Sequence, residues 1–382
     1  MAEQIKVPCT IMRGGTSKAV FLMRENVPVD DGERDKFLLA LFGSPDKRQI
    51  DGLGGADLLT SKCAIIGPAT RPDADFDYTF AQIGIEDATV SYEIVCGNIS
   101  SAVGVFAIEE GLVAAVEPET TVRVHNTNTG KLLHIIVQVV DGQPRVQGDF
   151  AIDGVPGTGA AVKLDYSDTS GGATGHLLPT GMPRNTLHIS SLGKDVDVSI
   201  VDIGTLSVFV RARDLNMSGV EMPTDLTSEQ IDVIEEVRSR VAEMCGLPAD
   251  NTLTPFPILV APSQSYVTYA GDREVTAEEM DFVARMVVPS VGMHKAFPGG
   301  GSICISIAAQ IDGTVVHECS STATTPRDVK VGHPSGLISI YGETQHTPSG
   351  WSVRQVHFSR TARRILDGNA YIVDRGWSKT AR

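Results

Sequence analysis

The chain has 382 residues, and its 32 basic and 47 acidic side chains give a formal net charge of −15. Because phosphate binding needs clustered Lys or Arg and the chain has no basic run, this charge argues against a nucleic-acid partner. No stretch reaches the roughly 18 apolar residues of a membrane span, and the N-terminal residues lack the pattern of a secretory signal, so we expect a cytoplasmic protein with no membrane partner.

Strand patterns dominate the chain. Runs of β-branched residues predict strands over Thr121–Val124, Leu132–Val140, Asp197–Val201 and Ser207–Arg211. Asp141-Gly142 follows the second of these runs and predicts a hairpin turn. The length is sufficient for two domains of ordinary size, each with its own core.

Helical patterns are fewer. Apolar spacing predicts helices over Asp35–Phe42, Ile99–Glu110, Ser228–Cys245 and Thr276–Val288. Thr227 with Gln230, and Thr276 with Glu279, resemble capping boxes that begin the last two helices, which Gly246 and Pro289 would end. This mixture predicts an α+β fold in which mixed or antiparallel sheets lie near a few helices.

The segment Tyr166–Pro183 is rich in Gly, Ser, Thr and Pro, which is typical of an interdomain linker or a hinge. We therefore predict an N-terminal domain over 1–184 and a C-terminal domain over 185–382, whose last residues could pack back on the first domain. A weak internal duplication supports two similar halves, since Cys96-Gly97-Asn98 aligns with Gly299-Gly300-Gly301 and Gly15-Thr16 aligns with Gly204-Thr205. Two such domains would form a cleft with one glycine-rich helix start from each side.

Cys96 stands immediately before the predicted helix that includes Ile99–Glu110. A thiolate at the start of a helix is stabilised by the positive end of the helix dipole. The free amides of the first turn can also hold a carboxylate. This pattern indicates proton chemistry beside a carboxylate, although a small buried cysteine before a glycine turn is an equal alternative.

Two further segments of the N-terminal half combine glycines with polar side chains. Arg13–Lys18 places Gly14 and Gly15 before Thr16 and Ser17, and such a turn can present amides and the Ser17 hydroxyl to a carboxylate. A tight turn between strands explains the same residues. Lys62 follows the glycine-rich segment 51–57 and begins an apolar strand. A lysine at such a position either extends its amine outward to solvent or has a function in a site.

In the C-terminal half, His294 precedes the run Gly299-Gly300-Gly301-Ser302, whose amides could hold a second carboxylate. The polar segments 125–130 and 332–336 are better explained as turns. The six cysteines are scattered without a C-x-x-C pair, which indicates reduced thiols. The sequence also lacks a hydrolase elbow, a clustered set of metal ligands and a dinucleotide-binding fingerprint, so we expect no hydrolase triad, no catalytic metal and no dinucleotide cofactor.

Together these residues resemble the PrpF-type delta-isomerases, a family that includes methylitaconate and methylaconitate isomerases and oxalomesaconate tautomerases. The resemblance covers nearly the whole chain and rests on six motifs in the correct order: MRGGTSKAVFL (12–22), DGLGGADLLTSKCAIIG (51–67), CGNISSAVGVFAIEEGLV (96–113), HNTNTGK (125–131), VGHPSG (331–336) and RTARRILDG (360–368). Within the family, the segments QIDGLGGADLLTSK and DGVPG are most similar to methylitaconate isomerases.

The resemblance implies the diaminopimelate-epimerase-like fold, with two topologically similar domains, each a mixed sheet curled around a central helix, and an active site in the interdomain cleft. Epimerases of this fold use one cysteine from each domain. Here the second position falls on Gly299, and Cys304 lies inside the following helix, which disfavours a racemase mechanism. The family uses a lysine and a cysteine, which match Lys62 and Cys96, and a histidine of the second domain, for which His294 is the best match.

The implied reaction is a cofactor-independent 1,3-allylic proton transfer on a small unsaturated di- or tricarboxylate. Lys62 and Cys96 are the expected catalytic residues, and Cys96 is the favoured base. The expected substrate-binding residues are Thr16, Ser17, Gly97, Asn98, Ile99, Ser100, His294, Gly300, Gly301 and Ser302. A homo-oligomer, dimeric or tetrameric, is also expected. The alternatives are an oxalomesaconate tautomerase, a racemase or epimerase, and an accessory protein that binds an organic acid.

Overall fold

The structure is a computed structural model that describes residues 3–93, 96–248, 251, 254–288, 292–320, 327–348 and 350–376. Its α-helices are α1 Asp31–Phe42, α2 Gly97–Glu109, α3 Ser228–Met244, α4 Gly299–Ala308 and α5 Val315–Cys319. None of the helices in these ranges is both long and apolar enough to cross a membrane.

Strands form most of the regular structure. In chain order they are β1 Gln4–Gly14, β2 Ser17–Met23, β3 Lys62–Pro68, β4 Phe76–Ile83, β5 Val90–Ser91, β6 Glu119–Asn126, β7 Lys131–Val140, β8 Gln143–Pro144, β9 Val162–Asp165, β10 Asn185–Ile189, β11 Lys194–Ile203, β12 Thr205–Arg211, β13 Phe256–Pro262, β14 Tyr266–Val267, β15 Glu274–Val275, β16 Phe282–Val288, β17 Gly292–Met293, β18 Arg327–His333, β19 Gly336–Thr347, β20 Gly350–Arg360 and β21 Ala362–Val373. The predicted α+β class is confirmed.

The chain divides into two compact units. The first comprises Met1–Leu164 and Ser359–Arg382, and the second comprises Asp165–Phe358. The C-terminal segment joins the first unit because β21 pairs antiparallel with β1 from Gln4 to Gly14.

The segment 166–183, interpreted from composition as a linker or hinge, is instead part of the second unit. The buried Asp202 in β11 accepts hydrogen bonds from the amides of Ala173 and Thr174 at 2.9 and 2.7 Å. The Asp202 amide in turn donates to the Leu177 carbonyl at 2.9 Å. Because one buried carboxylate accepts from two loop amides, the segment is held against its strand. The units therefore divide between Leu164 and Asp165 rather than near Arg184.

The two units repeat one strand topology. In the first, β1–β2, β3–β4 and β6–β7 pair antiparallel, while β2–β3 and β4–β6 pair parallel. In the second, β11–β12, β13–β16 and β18–β19 pair antiparallel, while β12–β13 and β16–β18 pair parallel. Helices α1 and α3 follow the second strand of each series, and α2 and α4 precede the fifth. This order confirms the predicted duplication.

One buried helix lies at the centre of each unit. Residues 97–108 of α2 and 299–308 of α4 are all buried, and neither helix carries a charge in its first turn. Helices that are apolar on all sides belong to a core. Helix α2 contacts β1, β2 and β7, and α4 contacts β11, β12 and β19. Each sheet is therefore arranged around its own central helix, as the resemblance implies.

Most predicted elements are confirmed. Helix α3 begins with the predicted capping box of Thr227 and Gln230, and Gly246 follows its end at φ +67°. Helix α1 begins before Asp35 because the Asp30 carboxylate caps it by accepting the Glu33 amide at 3.0 Å. The predicted hairpin turn also forms, with Asp141 and Gly142 at φ 52° and 70°.

The helix predicted over Thr276–Val288 is wrong. The capping box of Thr276 and Glu279 forms, but it begins a single 3₁₀ turn over Ala277–Glu279. Phe282–Val288 then forms β16, which pairs antiparallel with β13 and parallel with β18. Residues 282–287 are all buried, and a strand buried on both faces has a continuous apolar pattern that is easily mistaken for a helix. Pro289 lies outside the described residues.

Gly104 sets the distance between α2 and β7. A Cβ added at Gly104 would lie 2.6 Å from Cγ2 of Ile135 and 3.0 Å from its Cβ. Replacing Gly104 with Ala should therefore reduce the free energy of unfolding by about 1–3 kcal/mol, through overpacking. Urea unfolding measures this change.

Gly32→Ala in α1 is the matched control, because a Cβ there meets only the Asp30 carboxylate oxygen, at 3.4 Å. This change should be neutral or stabilising by up to about 1 kcal/mol, since alanine restricts the unfolded chain. Equal stability of the Gly104→Ala and Gly32→Ala proteins would contradict close packing of α2 on β7.

Candidate active site

Lys62 and Ser17 face α2 from neighbouring strands. Cys63 belongs to the core cluster that contains Phe37 of α1, so strand alternation places Lys62 on the opposite face of β3. On β2, Phe21 lies on this same face, with its ring 5.2 Å from that of Phe106 in α2. Ser17 shares the face of Phe21 by the same alternation.

The Lys62 amine is buried, and the two side chains of β4 that contact it, Gln82 and Phe80, are uncharged. The residue is only 6% exposed, its Nζ donates a 2.6 Å hydrogen bond to Oε1 of Gln82, and the Phe80 ring lies 5.3 Å away. Burial lowers the pKa of Lys62, and the charges of Cys96 and Asp57 act in the opposite direction. Cys96 is thus close enough to Lys62 to interact with it electrostatically.

Cys96 is the N-cap residue of α2 and is half-buried. Its carbonyl accepts the Ser100 amide at 2.8 Å and the Ser100 hydroxyl at 3.0 Å. Both donors of Ser100 are thus used inside the helix, and its place among the substrate-binding residues stays a prediction. Since the first three amides of a helix lack intrahelical partners, those of Gly97, Asn98 and Ile99 remain as the donors at this end.

A glycine turn between β1 and β2 contacts the start of α2. A Cβ on Gly14 would lie 2.2 Å from the Asn98 carbonyl oxygen, and one on Gly15 would lie 2.1 Å from Oδ1 of Asn98. Gly15 also has φ +50°, in the left-handed region that favours glycine. Both glycines are thus required for the turn to reach the helix.

Asn98 connects this turn to the C-terminal segment. Its Nδ2 donates to Oγ1 of Thr16 at 2.9 Å, and its Oδ1 accepts from Nε of Arg360 at 3.0 Å. Arg360 is 7% exposed and was not predicted as a site residue. It belongs to the family motif RTARRILDG, but no local pattern places it beside Asn98, which is far away in the sequence.

Ser17 presents a free hydroxyl at this position. The residue is 3% exposed, and its Oγ has no hydrogen-bond partner among the described residues. A buried hydroxyl without a partner costs free energy, which a bound acceptor would recover. The groups around the start of α2 are therefore neutral donors, the Cys96 side chain, and the basic side chains of Lys62 and Arg360, a combination suited to a carboxylate.

In the second unit, the start of α4 repeats part of this arrangement. A Cβ on Gly300 would lie 3.2 Å from the Gly204 carbonyl oxygen, so the turn between β11 and β12 contacts this helix start. The Ser302 amide and hydroxyl both donate to the Pro298 carbonyl, at 2.8 and 2.9 Å, as those of Ser100 do to the Cys96 carbonyl. The amides of Gly300 and Gly301, in the first turn of α4, have no acceptor within the helix.

The side chains of His294 and Cys304 both have hydrogen-bond partners within the second unit. Nδ1 of the half-buried His294 lies 3.1 Å from the Ala296 amide and 2.9 Å from its carbonyl oxygen, within its own loop. Burial raises the pKa of Cys304 to about 12, and its Sγ donates to the Val201 carbonyl. Cys304 is therefore a core residue.

The polar segments 125–130 and 332–336, predicted to be turns, form hydrogen bonds with neighbouring strands. Asn128 accepts the Phe80 amide and donates to the Phe80 carbonyl, both at 2.8 Å, so segment 125–130 fastens β4. The Tyr266 hydroxyl lies 2.7 Å from the His333 carbonyl oxygen beside the turn between β18 and β19. Within the described ranges, no three His, Cys, Asp or Glu side chains are arranged to hold a metal ion.

Asn98 offers a direct test of this geometry. Replacing Asn98 with Ala removes the acceptor of Arg360 and the donor to Thr16, so we expect the free energy of unfolding to fall by about 1–3 kcal/mol. The exposed Asn369→Ala in β21 is the control and should have little effect. Equal urea midpoints for the two variants would contradict the role of Asn98 as a connection between these segments.

Comparison with known proteins agrees with the fold and the motifs. The family model described as PrpF protein matches residues 4–373. The 3-methylitaconate isomerase of Eubacterium barkeri is 45% identical and covers 97% of this chain and 98% of its own. A crystal structure of methylitaconate-delta-isomerase superposes with a TM-score of 0.81 at 43% identity, covering 99% of both chains.

A more distant structure shows the fold alone. A hydroxyproline epimerase from Agrobacterium vitis superposes with a TM-score of 0.59 at 12% identity, covering 100% of this chain and 96% of its own. The predicted epimerase-like fold is thereby confirmed. With a family match over nearly its whole length and a relative of 45% identity, the chain belongs to the PrpF family and is an isomerase.

Proposed function

We propose that this protein is a cofactor-independent delta-isomerase that moves a carbon–carbon double bond by 1,3-allylic proton transfer in an unsaturated dicarboxylate of the methylitaconate type. The observation that carries the proposal is the pairing of a buried amine, Lys62, with a cysteine at the start of a buried helix. Two proton carriers beside unpaired amides are what such a reaction needs.

The proton transfers balance within this pair. We assign Cys96, in its thiolate form, as the base and Lys62, in its ammonium form, as the acid. The sulfur takes an allylic proton from the carbon alpha to a carboxylate, and the electron pair of that C–H bond spreads into a dienolate. Lys62 then gives a proton to the carbon two positions away. Transfer of the proton from the Cys96 thiol to the Lys62 amine restores the starting state.

The dienolate places negative charge on a carboxylate, so its stability depends on fixed donors. The amides of Gly97, Asn98 and Ile99 and the unpartnered Ser17 hydroxyl are our candidates for these donors. Thr16 contributes by holding Asn98 in place. His294, Gly300 and Gly301 stay predictions from the family resemblance, as donors to the other carboxylate of the substrate.

The choice of substrate rests on the relatives. Both the 45% identical relative and the structure with a TM-score of 0.81 are named for methylitaconate. Methylaconitate and oxalomesaconate are the competing acids within the family. Assembly into a dimer or tetramer and a cytoplasmic location stay predictions from the sequence and the resemblance.

Cys96→Ala should abolish measurable isomerisation of 3-methylitaconate, with a loss of at least about 10³-fold in kcat, because a proton carrier is removed. The control is Cys245→Ala, which removes another half-buried thiol at the end of α3 and should leave kcat unchanged. A Cys96→Ala protein with near-normal kcat would refute the assignment, provided that thermal unfolding shows both variants to be folded.

Proton NMR in deuterated water tests the reaction class. Incubation with 3-methylitaconate should produce a shifted double bond, with deuterium entering at the carbon that accepts the proton. Methylaconitate, aconitate, itaconate and oxalomesaconate, tested in parallel, should be slower. Deuterium exchange at a stereocentre without double-bond migration would instead indicate a racemase, and no change in any acid would indicate a binding protein.

A further inference from the structure

We propose that Gln82 is a positioning residue for Lys62: it gives the amine a fixed but uncharged hydrogen-bond acceptor, so that Lys62 can release and regain a proton in each catalytic cycle. The inference rests on the proposed function, in which Lys62 passes through its neutral form. Gln82 was not among the residues predicted from the sequence, and it acts through Lys62 rather than on the substrate.

The orientation of the Gln82 amide is determined by its surroundings. Gln82 on β4 is the direct cross-strand partner of Lys62 on β3. Its Nε2 donates to the Ser61 carbonyl at 2.9 Å and to the Leu58 carbonyl at 3.3 Å. Because both of these neighbours are acceptors, Oε1 must point the other way, where it accepts from Lys62 Nζ at 2.6 Å.

The loop that supplies these carbonyls is itself fixed by a second glutamine. Gln49 is 1% exposed, donates from Nε2 to the Ser61 hydroxyl at 2.8 Å, and accepts the Ala56 amide at 2.8 Å. A Cβ on Gly54 would lie 2.1 Å from the Gln49 side chain, so the glycine lets the loop pack directly against this amide. The glycine-rich segment 51–57 therefore supports Gln82, and through it Lys62.

The charges that act on Lys62 explain why a neutral acceptor matters. Cys96 on α2 and Asp57 in the loop both favour the ammonium form, while burial opposes it and lowers the pKa of Lys62 overall. From β4, the side chains nearest to the amine, Phe80 and Gln82, are uncharged. A carboxylate in place of the Gln82 amide would oppose the effect of burial and hold the proton on Lys62.

Two substitutions separate charge from hydrogen bonding. Both Gln82→Glu and Gln82→Met lose the bonds to Ser61 and Leu58, but only Gln82→Glu adds a negative charge. The first readout is the titration of the Lys62 Cε signal by carbon NMR of protein labelled with ¹³C-lysine, assigned by its absence in Lys62→Met. The second readout is the pH dependence of kcat and kcat/KM for 3-methylitaconate. Gln143→Glu, at an exposed position, controls for added charge.

In the unmodified protein the Lys62 signal should titrate below the range of exposed lysines. Gln82→Glu should move this midpoint, and the limb of the pH profile that reports it, to higher pH by about one to three pH units. Its kcat at neutral pH should fall at least about tenfold. Gln82→Met should lower kcat with little change in KM and without the alkaline shift, and Gln143→Glu should change neither quantity.

An unchanged Lys62 midpoint in Gln82→Glu would overturn the proposal. If that variant does not fold, Gln82→Met decides, because an unchanged kcat there would show that the amide is not needed. The NMR titration requires no substrate. A shifted midpoint in a protein that isomerises none of the unsaturated acids would therefore support the effect of Gln82 on Lys62 while refuting the proposed function.

Discussion

The contact between a glycine turn and the first turn of a buried helix is the constraint on which the site depends. Gly14 and Gly15 approach Asn98 so closely that no side chain fits between them. This closeness brings Thr16 and Ser17 beside the helix start, where Cys96 stands at the cap. Because the helix is buried along its length, its unpaired amides are held in a fixed direction, as donors to a developing anion must be.

The same contact occurs in both units, but the chemistry does not. Gly204 and Gly300 repeat the contact of turn and helix in the second unit, yet the N-cap position that Cys96 has in α2 is occupied in α4 by Pro298, one residue before the Gly299 expected from the sequence. Cys304 does not replace it, because it is buried and its pKa is raised. Both of the proposed proton carriers, Cys96 and Lys62, therefore belong to the first unit. A racemase needs proton carriers on opposite faces of one carbon. A reaction that moves a proton between two carbons does not have this requirement.

Sequence patterns predicted the elements whose signals are local. The capping box of α3 and the turn at Asp141-Gly142 have fixed spacings, and both form as predicted. The pattern over 282–288 failed because burial on both faces of a central strand removes the alternation that identifies a strand. Arg360 and Gln82 carried no local signal, since their significance comes from strand pairing and from contacts between distant segments. Likewise, only the bonds to Cys96 show that Ser100 has no donor to spare.

The position of β21 has a consequence for biosynthesis. The second unit is inserted into the first, and the strand that pairs with β1 comes from the last residues of the chain. A ribosome therefore releases the complete second unit before it releases the partner of β1. Until then, the nascent first unit contains Lys62 and Cys96 but lacks Arg360, and the edge of β1 that later pairs with β21 has no partner strand. The half of the protein that begins synthesis first is the last to be completed.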